Sequence, residues 1–96
     1  MHINDMARKA HLNARDKGFW SKPREVGTML ALIHSEVSEA LEADRRGDKS
    51  GFAEELADIV IRVGDLAYAL GVELEWQIVD KMERNSRRER LHGKQY

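Results

Sequence analysis

The sequence predicts an all-α protein, a four-helix bundle-like subunit that oligomerises through its helices. Three observations carry this expectation. Glycines 18, 47, 71 and 93 divide the 96-residue chain into four segments of helical length. Within those segments apolar residues recur at three- and four-residue intervals, and no stretch alternates apolar and polar residues as a strand would. The third segment is apolar over most of its circumference, which makes it central in its assembly. A single domain is expected over residues 1–96, with no internal repeat or low-complexity run.

The first helix is expected over Asn4–Lys17, with Asn4 or Asp5 as its cap, a weak apolar stripe through Met6, Ala10, Leu12 and Ala14, and a stop at Gly18. Phe19-Trp20-Ser21-Lys22-Pro23 forms a connection. Pro23, with its fixed φ and missing N–H, suits the first turn of the next helix. That second helix is expected over Arg24–Arg46, about 35 Å at 1.5 Å per residue. With Glu36 set at 0° and about 100° per residue, Met29, Ala40, Ile33, Val26, Val37, Leu30 and Leu41 run from about 20° to about 140°. Leu32 and Ala43 fall at about 320° to 340°, so Glu36 lies between apolar neighbours on both sides.

Gly47-Asp48-Lys49-Ser50-Gly51 is a turn in which Asp48 or Ser50 caps a third helix running from Gly51 to Leu70. Its polar residues Glu54, Glu55, Asp58, Arg62 and Asp65 fall within one arc about 100° wide. The remaining apolar surface is too broad for one small chain to cover, so part of it is expected to face another subunit in a homodimer or a dimer-of-dimers tetramer. The fourth helix is expected over Val72–Leu91, with Leu74, Ile78, Val79 and Met82 as its core face. Lys81, Asn85 and Arg88 form a polar row beside that face.

Composition narrows the functional classes. There is no cysteine, which excludes disulfides and thiolate metal sites and fits a reducing, cytoplasmic setting. The polar N-terminus has no signal-peptide pattern, and no apolar run approaches about 18 residues, so no membrane partner is expected. The formal net charge of −1 conceals a segregation. Glu25 to Asp80 holds thirteen acids against four Lys or Arg, a balance of −9, whereas Lys81 to Tyr96 holds six Lys or Arg against two acids, a balance of +4. Arg84, Arg87, Arg88 and Arg90 invite a nucleic-acid-binding or regulatory alternative. No groove-reading motif or interleaved aromatic accompanies them, and the acidic remainder would repel a phosphate backbone.

The chemistry concentrates in two acid pairs, Glu36-x-x-Glu39 and Glu55-x-x-Asp58. An i, i+3 spacing places both carboxylates of a pair on one helix face, and facing helices would converge all four. Four such charges beside apolar surface require a cation, and an all-oxygen donor set suits a hard divalent ion such as Mg²⁺, with Mn²⁺ as a substitute. A ferritin-like di-iron centre needs Glu-x-x-His on two helices, and neither pair contains histidine.

Those two pairs, followed by Lys81-x-x-x-Asn85 on a later helix, resemble the all-α NTP pyrophosphohydrolases of the MazG type and their dCTP pyrophosphatase relatives. The likeness covers about Phe19 to Arg88. It implies Mg²⁺-dependent hydrolysis of a (d)NTP to its monophosphate and diphosphate, for nucleotide-pool house-cleaning or dNTP trimming, by an oligomer of small helical subunits. Glu36, Glu39, Glu55 and Asp58 would then be both metal ligands and the catalytic set, with Glu39 chosen as the base for the attacking water. Lys81 and Arg88 would neutralise phosphate oxygens, and Asn85 would donate a hydrogen bond to one. Trp20 matches an aromatic that contacts the base in the dCTP pyrophosphatase branch, and core packing is the equal alternative for its ring. Arg62 is expected to form a ladder with Asp58 and Asp65 along its own helix, with Asp65 supporting rather than ligating. His34 lies about 160° from Glu36 and is assigned to packing; Phe19 is assigned to the core, Trp76 to packing or an interface, and His11 only to the neighbourhood of the base.

Overall fold

The computed structural model describes residues 2–88. It consists of four helices, α1 (Ile3–Asp16), α2 (Val26–Arg45), α3 (Lys49–Ala69) and α4 (Leu74–Ser86), with no strand among the described residues. The expected all-α class is therefore the observed one. None of these helices is long and apolar enough to cross a membrane.

The helix ends follow from local chemistry. α1 stops where Gly18 takes φ +83° and lets Phe19 N–H bond back to the Ala14 carbonyl, closing a Schellman turn. A Cβ at this left-handed φ would be strained, and this is why the chain breaks at that glycine. α2 and α3 end in the same motif at Gly47 and Gly71. Asp48 caps α3, its Oδ1 accepting from Gly51 N–H at 2.9 Å.

The starts differ more from expectation. Asn4 does not cap α1; His2 holds the capping position with no side-chain bond. Asn4 instead serves α4, 71 residues away: its Oδ1 accepts from Glu75 N–H at 3.1 Å, while Glu75 Oε1 accepts from Asn4 N–H at 3.3 Å. Each helix start thus satisfies a free N–H of the other. Pro23 lies outside α2, which begins at Val26 after an extended Glu25. The connection folds on itself, with Arg24 Nε donating to the Phe19 carbonyl at 2.8 Å, and this keeps Pro23 and Arg24 out of the helix. α4 begins at Leu74 rather than Val72, because Val72 N–H is already used to close the end of α3. It ends at Ser86. Arg88 therefore departs from the helical row of Lys81 and Asn85, and the expected extension to Leu91 and Gly93 lies outside the described residues.

α3 is the axis of the fold. α1 and α2 pack along it over comparable lengths and do not pack on one another, and α4 touches only α1 and α3. α1 lies close because the contact is built from small residues: a Cβ at Gly64 would sit 2.9 Å from Met6 Sδ and 3.1 Å from Ala7 Cα. The buried apolar set is Ala7, Ala10, Met29, Ala40, Ala43, Leu66 and Ala67, with Met29 its one large, fully buried side chain.

This arrangement is more open than a closed bundle. On α2, the part of the apolar arc nearest Glu36 is covered, whereas Val26, Leu30, Val37 and Leu41 remain 45–48% exposed. Phe52, Leu56 and Val60 on α3 are also exposed. On α4 the expected core face is half realised: Leu74 and Ile78 are partly buried, but Val79 and Met82 face outward, as does Trp76.

Candidate functional site

Glu36 projects from the middle of the face of α2 that packs on α3, one turn from Ala40 and two turns from Met29. Its side chain is only 13% exposed. Glu55, on the facing side of α3, is partly buried, and Glu39 lies one turn beyond Glu36 toward solvent. Glu36, Glu39 and Glu55 each offer a carboxylate oxygen within 4.8 Å of the other two. Asp58, one turn along α3, lines the adjoining cleft but stands outside that group of three.

The charges in this cluster are unevenly answered. Arg62 Nε donates to Glu36 Oε1 at 2.9 Å. The expected ladder from Arg62 to Asp58 is thus replaced by a bond across to α2, because Glu36 is the nearer and less hydrated carboxylate. That bond is the main reason the Glu36 carboxyl is held below its usual range, against the opposing effect of burial. Glu55 is pushed up to about 7, first by burial and then by Glu36 beside it, with Glu39 and Asp58 adding like charge. Glu55 Oε2 is buried and has no hydrogen-bond partner among the described residues. An orphaned carboxylate oxygen among all-oxygen donors fits a hard divalent cation. Glu36, Glu39 and Glu55 are the residues placed to hold one, with Asp58 beside them.

Of the clustered glutamates, Glu36 lines a cleft of about 720 Å³ between α1, α2 and α3, walled by Glu36, Asp58 and Arg62 on one part and by Lys17, Phe19 and Arg24 on another. Asp65 closes its floor. It is 5% exposed, and its Oδ1 accepts from both His11 Nδ1 and Trp20 Nε1, each at 2.8 Å. Asp65 is therefore the support for an aromatic group in which the His11 ring lies 5.5 Å from Trp20 and 5.3 Å from Tyr68. Trp20 is held by this bond, with the Phe19 ring set at 85° to it, and Trp20 is not among the residues that line the cleft.

Lys81 and Asn85 lie on exposed α4 and Arg88 just past its end, and none of the three lines this cleft. Lys81 borders a separate hollow with Gln77 and Ile78. His34 is exposed. Of the C-terminal arginines, Arg84 pairs with Asp80 and Arg87 with Glu83 along α4, while Arg90 lies outside the described residues. Sequence reading missed Lys17 and Arg24 altogether. The available signal was their position flanking the Phe19-Trp20 pair in a proline-containing connection.

Carboxylates from two helices thus converge beside a cleft, a donor set that could hold a hard divalent cation. Residues 6–86 match the family described as phosphoribosyl-ATP pyrophosphohydrolase, and the chain belongs to that family, within the MazG-like all-α NTP pyrophosphohydrolases. No curated protein and no solved structure gives a significant match. The chain is accordingly a pyrophosphohydrolase of a metal-dependent class.

Proposed function

We propose that this protein is a Mg²⁺-dependent nucleoside triphosphate pyrophosphohydrolase that cleaves a (d)NTP to its monophosphate and diphosphate. The observation that carries the proposal is the convergence of Glu36, Glu39 and Glu55, with the Glu55 oxygen left unanswered. Bound there, Mg²⁺ would neutralise phosphate oxygens and acidify a water. Glu36, Glu39 and Glu55, with Asp58 beside them, would hold that ion. Glu39, the most exposed of the three clustered glutamates, takes the proton of the attacking water. Asp65, which lines the cleft, holds His11 and Trp20 behind it, and Trp20 is the aromatic we assign to the base. Lys81, Asn85 and Arg88 reach a phosphate only from a second subunit, in a homodimer or tetramer. We place the reaction in the cytoplasm.

The family match favours a second substrate, phosphoribosyl-ATP, which carries the same triphosphate with an additional phosphorylated ribose on its adenine. One assay separates the readings. The protein is incubated with Mg²⁺ and a panel of canonical and modified NTPs, dNTPs and phosphoribosyl-ATP, and released diphosphate is measured against orthophosphate. Diphosphate from (d)NTPs supports the first reading, and diphosphate from phosphoribosyl-ATP alone supports the second. Orthophosphate, or no turnover at all, removes both.

A further inference from the structure

Lys17 and Arg24 line the same cleft as Glu36 and Asp58 but come from different elements, the end of α1 and the connection to α2. Of the three acids that line the cleft, Glu36 is engaged by Arg62 and Asp65 by His11 and Trp20, and Asp58 pairs with neither Lys17 nor Arg24. Neither Lys17 nor Arg24 has an ion-pair partner among the described residues. Arg24 is nonetheless held in place. Its Nε donates to the Phe19 carbonyl at 2.8 Å, and its guanidinium lies 4.2 Å over the Phe19 ring centroid. An arginine fixed through Nε and one face keeps its two terminal nitrogens for a planar, two-oxygen acceptor, and much of its ordering entropy is already lost before a ligand arrives.

We propose that Lys17 and Arg24 form an anion subsite of the cleft that binds a terminal phosphate group of the substrate, separate from the phosphates at the acid cluster. This rests on the proposed function. Two sources supply the same chemistry: the last phosphate of a triphosphate, which departs in diphosphate, or the sugar monophosphate of a phosphoribosyl group. Arg24 grips two phosphate oxygens through its paired N–H groups, and Lys17 adds a mobile point charge.

The test is calorimetric titration of the intact protein with inorganic pyrophosphate plus Mg²⁺, and separately with ribose 5-phosphate without metal. Wild type is compared with Lys17→Ala and Arg24→Lys. Removing a charge-assisted hydrogen bond to the phosphate is expected to weaken binding about tenfold. Weaker binding of pyrophosphate identifies the leaving group as the occupant, and weaker binding of ribose 5-phosphate identifies the sugar phosphate. Arg24→Lys disturbs the Phe19 anchor, so Lys17→Ala, which breaks no side-chain hydrogen bond among the described residues, decides the matter if the former fails to fold. Unchanged affinity in Lys17→Ala for both probes, or no binding of either to wild type, overturns the subsite. These readouts need no turnover. Binding that depends on Lys17 in a protein inactive on every nucleotide would sink the function and leave the subsite, and turnover with unaltered probe binding would do the reverse.

Discussion

Glu55 and Glu36 occupy one patch of low polarity and resolve their repulsion in opposite ways. Glu36 keeps its charge because Arg62 answers it, and Glu55 holds its proton to about 7, far above an ordinary 4.5, because burial and three acids oppose ionisation. The signs for stability follow. The raised Glu55 value contributes stability to the metal-free protein that is fully present below about 4.5 and lost as pH rises through about 7. The lowered Glu36 value contributes stability above its ordinary range that is lost as pH falls below it. Metal must displace the Glu55 proton, so its affinity should rise over the interval in which metal-free stability declines. We predict a lower melting temperature at pH 8 than at pH 5.5 without metal, and stabilisation by added Mg²⁺ that grows over the same interval. Glu55→Gln should flatten the metal-free slope and abolish the Mg²⁺ increment. Identical slopes in wild type and Glu55→Gln, measured by differential scanning calorimetry, would remove Glu55 as the titrating group.

At the scale of elements, features set by neighbouring residues were legible in the sequence, and those set by distant partners were not. Gly18, Gly47 and Gly71 announce helix ends because a left-handed C-terminal turn needs only local chain. Asp48 announces the start of α3 for the same reason. The position of Glu36 within a buried face followed from the helical repeat alone. The partner of Arg62 did not, because Asp58 and Glu36 were both within reach and only the packing of α2 on α3 selects Glu36. Asp65 was expected to support the acids beside Arg62 on its own helix, and it holds His11 and Trp20 instead, through contacts that span 54 and 45 residues. Asn4 shows the limit most clearly: its helix-capping chemistry was visible, but it is spent on α4. Removing its side chain should uncap the start of α4 alone, because the Asn4 N–H that donates to Glu75 Oε1 is backbone and remains. We predict that Asn4→Ala costs about 1–2 kcal/mol in denaturant unfolding. Glu75→Ala should add a further loss, since its Oε1 accepts from the backbone N–H at position 4, a bond that Asn4→Ala leaves in place. A double variant no less stable than Asn4→Ala alone would mean that the two caps act as one unit.

The whole molecule carries a surface that its own chain does not finish. Val26, Leu30, Val37 and Leu41 lie on one side of α2, and all four are about half exposed. With Phe52, Leu56 and Val60 outward on α3, apolar side chains on both long helices face solvent, while the interior is mostly alanine. A lone subunit would leave this area wet at about 25 cal/mol per Å² of apolar surface, a loss a small core can ill sustain. A second copy is the occupant that makes a helical face of this kind self-complementary. We therefore predict at least a dimer at micromolar concentration by size-exclusion chromatography with light scattering. Charge at the centre of the stripe should dissociate it: Leu30→Lys with Val37→Lys should give a monomer whose melting temperature no longer rises with protein concentration, as the wild-type value should. Within one subunit these half-exposed positions tolerate lysine, so a direct effect on the fold should stay near 0.5 kcal/mol each. A wild-type protein that runs as a stable monomer would rule out the interface and would deny Lys81, Asn85 and Arg88 their route to the cleft. A double variant that remains dimeric would shift the contact to the exposed face of α4, around Trp76, Val79 and Met82.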